Sequence, residues 1–173
     1  MKKLQLILFA LLFPVAAQAQ LSVGVMSPDQ VLDALPETAQ IETELQEYVQ
    51  QREQAFQARY QAWIEEVTAY SEAVEAGEYT EQQQVEEEAR LAEQEEELTS
   101  FQTRIQNQIQ QRQNELFTPL LARVEQAMQD VSEEMGLSYV LNKQSGTGDP
   151  IVYYVSDRGV DITERVIQKL TQN

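Results

Sequence analysis

The sequence predicts an α+β fold, mostly α, in which a long antiparallel helical-hairpin arm stands on a small β-rich body that is completed by oligomerisation. Three observations point there. Residues 38–76 and 80–118 are two stretches of 39 residues whose apolar positions recur at steps of three and four, on either side of one turn. A short apolar start precedes them, and the stretch after them regains glycine, tyrosine and valine, as short strands joined by turns require. The chain has no cysteine, so a small body has no disulfide to hold it together.

Residues 1–19 read as a cleaved secretory signal. Lys2 and Lys3 form the charged start, an apolar stretch runs over residues 4–13, and Ala17-Gln18-Ala19 is a small-residue cleavage pattern. About ten apolar residues are too few for a spanning helix, which needs roughly 20. No stable membrane anchor is expected, and export with cleavage leaves a mature chain that begins at Gln20. Losing the two signal lysines takes the net charge from -17 to -19. A chain this acidic lacks the basic surface that neutralises phosphates, so no nucleic acid is expected as a partner.

The elements follow in order. Leu21, Val23 and Val25 alternate with Ser22, Gly24 and Met26, as in a strand with one buried face. Ser27 caps a short helix that starts at Pro28, with Gln30 completing a capping box and Pro36 ending it. From Glu37, a helical stripe runs through Ile41, Leu45, Tyr48, Phe56, Tyr60, Trp63, Val67, Tyr70 and Val74. It stops at Ala76-Gly77-Glu78-Tyr79, and Thr80 with Gln83 opens the second helix through another capping box. That stripe includes Val85, Ala89, Leu91, Leu98, Phe101, Ile105 and Ile109 and reaches Leu116 and Phe117. At about 1.5 Å per residue each helix is roughly 58 Å long, and the short connection makes them antiparallel. Pro119 lacks the N–H that bonds back to Glu115, which predicts a kink at the end of the arm.

Beyond it, Leu120, Val124, Met128, Val131 and Met135 form a denser apolar face, and Gly136 ends the helix. Residues 137–142 and 151–155 are expected as two strands joined by the polar loop 144–149. Asp161 and Glu164 then cap a last short helix. The organisation expected is a signal over 1–19, an oligomerisation body formed by 20–36 and 119–173, and an arm over 37–118. A body of about 72 residues with three short strands leaves two unpaired edges, which another copy of the chain can satisfy.

Catalysis has no foothold. The sequence has no histidine or cysteine, no G-x-S-x-G element, and no glycine loop followed by Lys-Ser or Lys-Thr, so no enzyme and no cofactor are expected. Asp149, Asp157 and Asp161 lack the spacing of a calcium loop, and turn and capping roles account for them. No metal site is expected.

Four segments in order around the hairpin carry a family resemblance. They are Val23-Gly24-Val25-Met26-Ser27-Pro28-Asp29-Gln30-Val31-Leu32, Leu116-Phe117-Thr118-Pro119-Leu120-Leu121, Gly136-Leu137-Ser138-Tyr139-Val140-Leu141 and Val160-Asp161-Ile162-Thr163-Glu164-Arg165-Val166-Ile167. With them the mature chain resembles the Skp, or OmpH-like, family of periplasmic chaperones. The resemblance implies a homotrimer whose three arms enclose a cavity for unfolded outer-membrane β-barrel proteins, working without ATP. The chain departs from the better-known members in charge: they carry basic arms, whereas residues 37–118 here hold 19 acidic and 5 basic side chains.

Tyr60, Trp63, Ile64, Tyr70 and Tyr79 are the candidate client contacts, because rings offer apolar area together with a polar edge. Trp63 and Tyr70 also fall on the stripe, where packing the hairpin is the competing role; Ile64 and Tyr79 fall off it. A structural or docking envelope protein, using the hairpin as a spacer, is the alternative reading of the same pattern.

Overall fold

The computed structural model describes residues 21–156 and 159–172. The signal expected over 1–19, and Asp157, lie outside them. The elements run β1 (Val23–Met26), α1 (Pro28–Asp33), α2 (Pro36–Glu75), α3 (Glu81–Glu134), β2 (Tyr139–Asn142), β3 (Val160–Asp161) and α4 (Thr163–Thr171). The chain divides into two units, one containing residues 32–124 and the other the residues up to 31 and from 125 onward.

In the first unit, α2 and α3 form the expected hairpin. Pro36 does not merely end α1. It lies at the start of α2, where its missing N–H costs nothing and its fixed φ suits the first turn. The turn between the long helices is set by Gly77 at φ 70°. The Glu78 N–H donates to the Ala73 carbonyl and the Gly77 N–H to the Val74 carbonyl, each at 3.0 Å, a Schellman arrangement that a side-chain Cβ at position 77 would strain. Thr80 and Gln83 form a reciprocal capping box: the Gln83 N–H donates to Thr80 Oγ1 and the Thr80 N–H to Gln83 Oε1.

α3 continues unbroken through Pro119 for 54 residues. One missing N–H removes one hydrogen bond, and the surrounding turns continue the helix across it. Burial along the hairpin is sparse. Leu35, Leu91, Ile105, Leu120 and Val124 are its buried apolar side chains.

The second unit is built on a three-stranded, all-parallel sheet of order β2-β1-β3. Val23 pairs with Tyr139 and Met26 with Asn142, while Val25 pairs with Asp161. Parallel strands need a long crossover. Between β1 and β2 that crossover is the entire helical hairpin. Gly136, at φ 63°, closes α3 with a second Schellman arrangement, in which the Leu137 N–H donates to the Ser132 carbonyl at 2.9 Å. Val31, Ile162 and Val166 are fully buried and form the centre of this unit with Val25, Met26, Ala127 and Val131.

Two expectations change. Residues 151–155 do not form a strand, and the third strand is Val160–Asp161 instead. The Ile-Val-Tyr-Tyr-Val run has high β-propensity, but propensity alone does not pair a strand, and both sides of β1 are taken by β2 and β3. The chain there makes a single antiparallel bridge, Gln144 to Pro150, and leaves Tyr153 86% and Tyr154 81% exposed. At β1, the Ser27 capping box is only half made: Ser27 Oγ accepts from the Gln30 N–H at 3.5 Å, while the Ser27 N–H donates to Thr163 Oγ1 at 3.1 Å. Asp161 Oδ1 in turn accepts from the Thr163 N–H and hydroxyl, and Lys143 bonds Oδ2 at 2.9 Å. One carboxylate thereby ties the end of β2 and the start of α4 to β3.

Candidate functional site: the helical hairpin

An amphipathic helix pair needs a register, and in this hairpin polar groups set much of it. Three arginines on α3 each reach a glutamate on α2: Arg90 to Glu66, Arg112 to Glu44 and Arg123 to Glu37. The partner numbers fall on one helix as they rise on the other, as antiparallel packing requires. Arg90 also bonds Glu87 at 2.8 Å, so it takes the residue three back and the facing helix rather than Glu86 four back. Hydrogen bonds from Arg90 and from Gln94 hold the Glu66 carboxyl below the usual range, and Arg123 does the same for Glu37. The guanidinium of Arg90 is pushed up by its bonds to Glu66 and Glu87, and that of Arg112 by its bonds to Glu44 and Glu115. These pairs are exposed, so each adds little stability; their role is geometric.

Aromatic side chains occupy the gaps between these rungs. Phe56, Tyr60 and Trp63 lie at steps of four and three on α2, with ring centroids 6.2 and 6.0 Å apart. Tyr60 remains 47% exposed. Trp63 is half-buried, and its indole N–H donates to the Leu91 carbonyl on α3 at 3.1 Å. The Tyr70 hydroxyl donates to Glu88 at 3.0 Å, and its ring meets that of Tyr79 at 5.7 Å near the turn. Burial first, and then the bond to Glu88, raise the Tyr70 hydroxyl above its ordinary range. Ile64 and Tyr79 are half-buried.

The five candidate contacts are therefore distributed along the hairpin and not gathered into a pocket. Tyr60 and Trp63 are neighbours, as are Tyr70 and Tyr79. Trp63 and Tyr70 also bridge the two helices. Arginines contribute in a way the sequence reading missed. Arg52 lies 4.6 Å from the Tyr48 ring centroid and Arg59 4.0 Å from that of Phe101. The i,i+4 spacing of Tyr48 and Arg52 announces the first of these pairs, whereas the second joins two helices and has no local signal.

A shallow crevice of about 220 Å³ opens between the helices at Trp63, Glu66, Gln94 and Glu97. No cluster of His, Cys, Asp and Glu suited to a metal occurs among the described residues. No described helix is long and apolar enough to cross a membrane.

The model of the family described as outer membrane protein (OmpH-like) matches residues 22–170. A crystal structure of an OmpH-like protein from Caulobacter crescentus CB15, described as a candidate outer membrane chaperone, matches with a TM-score of 0.70 at 14% sequence identity. The match covers 89% of this chain and 86% of that one. No curated protein matches the sequence. The chain belongs to the outer membrane protein (OmpH-like) family.

Proposed function

We propose that the protein is an ATP-independent holding chaperone of the periplasm, reached through a cleaved signal over 1–19. Copies assemble as a homotrimer through the body formed by 20–36 and 119–173. Unfolded outer-membrane β-barrel proteins are held between the arms, residues 37–118, and kept from aggregating without any catalytic step. The observation that carries this reading is the sparse seam of the hairpin: rings and short apolar side chains are only partly covered along two helices of 40 and 54 residues. A surface of that kind makes many weak contacts, and several such surfaces around one cavity retain a client by effective concentration without a deep pocket.

The oligomer reading draws support from the sheet. In the order β2-β1-β3, the outer edges of β2 and β3 have no strand beside them among the described residues. Tyr139, Leu141, Ile151, Tyr153 and Tyr154 are exposed in the same unit. Open edges and uncovered rings are liabilities in a lone chain and assets in an assembly.

In this reading Tyr60, Trp63, Ile64, Tyr70 and Tyr79 contact the client. The test mixes the full mature protein with an unfolded β-barrel protein, without nucleotide, and follows light scattering at moderate and high salt. Suppressed aggregation is expected; scattering unchanged at both salts would remove the chaperone function. Replacing Ile64 and Tyr79 together with Ser is expected to weaken retention and leave subunit assembly intact, whereas dissociated subunits would make both residues structural.

A further inference from the structure

The charges of the hairpin are not free in equal measure. Residues 37–118 contain five arginines and no lysine, and every one of the five is engaged inside the hairpin. Arg52 lies over Tyr48, Arg59 and Arg104 over Phe101, Arg90 bonds Glu66 and Glu87, and Arg112 bonds Glu44 and Glu115. Of the 19 carboxylates in the same stretch, Glu37, Glu44, Glu66, Glu87 and Glu115 are ion-paired. The remaining 14 have no cationic partner among the described residues. Whatever approaches this hairpin meets acceptors and negative charge.

Acceptors and an aromatic ring meet at the crevice of about 220 Å³ lined by Trp63, Glu66, Gln94, Glu97 and Leu98, together with Arg59, whose guanidinium is engaged with Phe101. Among the described residues Glu97, which is exposed, has no hydrogen-bond or ion-pair partner, and the covered carbonyl oxygen of the half-buried Gln94 side chain has no donor. A buried acceptor left unsatisfied is costly, which favours a ligand that brings a donor. Lysine and arginine side chains are donors only, and their cations are attracted both to carboxylates and to the face of an indole.

We propose that this crevice receives a lysine or arginine side chain of an unfolded chain, so that the hairpin prefers clients whose apolar segments are interspersed with basic residues. The proposal rests on the holding-chaperone reading and specifies its client class. A carboxylate-bearing segment is repelled at the same place, and a neutral amide can donate to Gln94 but brings no positive charge to Glu97 or to the indole face.

Three labelled unstructured peptides with identical apolar residues, differing only in polar positions that are all Lys and Arg, all Gln, or all Glu, test it by fluorescence anisotropy on the full mature protein. At about 0.15 M salt, where exposed charges are screened beyond roughly 8 Å, the basic peptide is expected to bind about tenfold or more tighter than the Gln peptide, with the Glu peptide weakest. Glu97→Gln is expected to weaken the basic peptide by about fivefold, the upper range for one exposed ion pair, and to leave the Gln peptide unchanged. Glu47→Gln, an exposed unpaired carboxylate outside the crevice, is expected to shift the basic peptide by no more than roughly twofold.

Equal affinity for the three peptides, or selectivity that vanishes at this salt, overturns the proposal and leaves the holding function standing, since suppressed aggregation is measured separately. Equal losses in the two variants overturn the crevice as the receiving point. Binding of none of the peptides, with aggregation also unaffected, removes the proposal and the holding function together.

Discussion

At the residue scale, Trp63 serves both the hairpin and its surface. Its indole N–H reaches a carbonyl on the facing helix while its ring extends the Phe56–Tyr60 ladder. Trp63→Phe keeps a ring and loses the donor, so a loss of about 0.5–1.5 kcal/mol in urea unfolding is expected; an unchanged midpoint would show that the bond contributes nothing. Gly136 has a different task, closing α3 at positive φ. Gly136→Ala is expected to cost about 1 kcal/mol, because a Cβ is strained in that region, and a neutral result in thermal unfolding would contradict it.

The acid response also belongs to single residues. Hydrogen bonds from Arg90 and Gln94 hold the Glu66 carboxyl below its ordinary range. At Asp161, burial pulls upward, but bonds from Thr163 and Lys143 outweigh it and the net shift is downward. A depressed carboxyl binds fewer protons folded than unfolded. Its contribution is therefore complete above the unfolded value, near about 4, and is lost as pH falls through the folded one. Asp161→Asn is expected to flatten the fall in stability below about pH 4, read by denaturant midpoints across pH; a parallel profile would remove Asp161 from the acid response.

At the scale of elements, much was legible. Apolar steps of three and four gave both long helices, Thr80 with Gln83 gave the start of α3, and Gly77 and Gly136 gave two helix ends, because each signal is local in sequence. The sheet was less so. β3 is two residues with no pattern of its own, and it exists because Val25 offers it an edge. Residues 151–155 carry the stronger pattern, yet they pair with neither of the open outer edges of β2 and β3. Local spacing likewise offers Arg90 the residue four back, Glu86, whereas it is bound to Glu87 and to Glu66, the second across the hairpin. Of the candidate contacts, the helical stripe located Trp63 and Tyr70. Their partners Leu91 and Glu88 follow only from the antiparallel register.

The elements also oppose one another electrically. Glutamates without cationic partners outnumber the three Arg-Glu rungs on the facing helices, so screening relieves more repulsion than attraction. Helicity by circular dichroism is expected to rise, and the radius by scattering to fall, as salt increases from about 0.05 to 0.5 M. Flat profiles would mean that the rungs already balance the excess.

At the scale of the whole molecule, family and fold are established and the assembly is the proposal. A small sheet with two open edges, exposed tyrosines at 139, 153 and 154, and a hairpin with few buried side chains all point outward to other chains. Native mass spectrometry of the mature protein mixed with an unfolded β-barrel client, without nucleotide, examines both halves of that account in one spectrum. Three copies alone and three copies carrying a client are the species expected. A spectrum of single chains beside unbound client would contradict it.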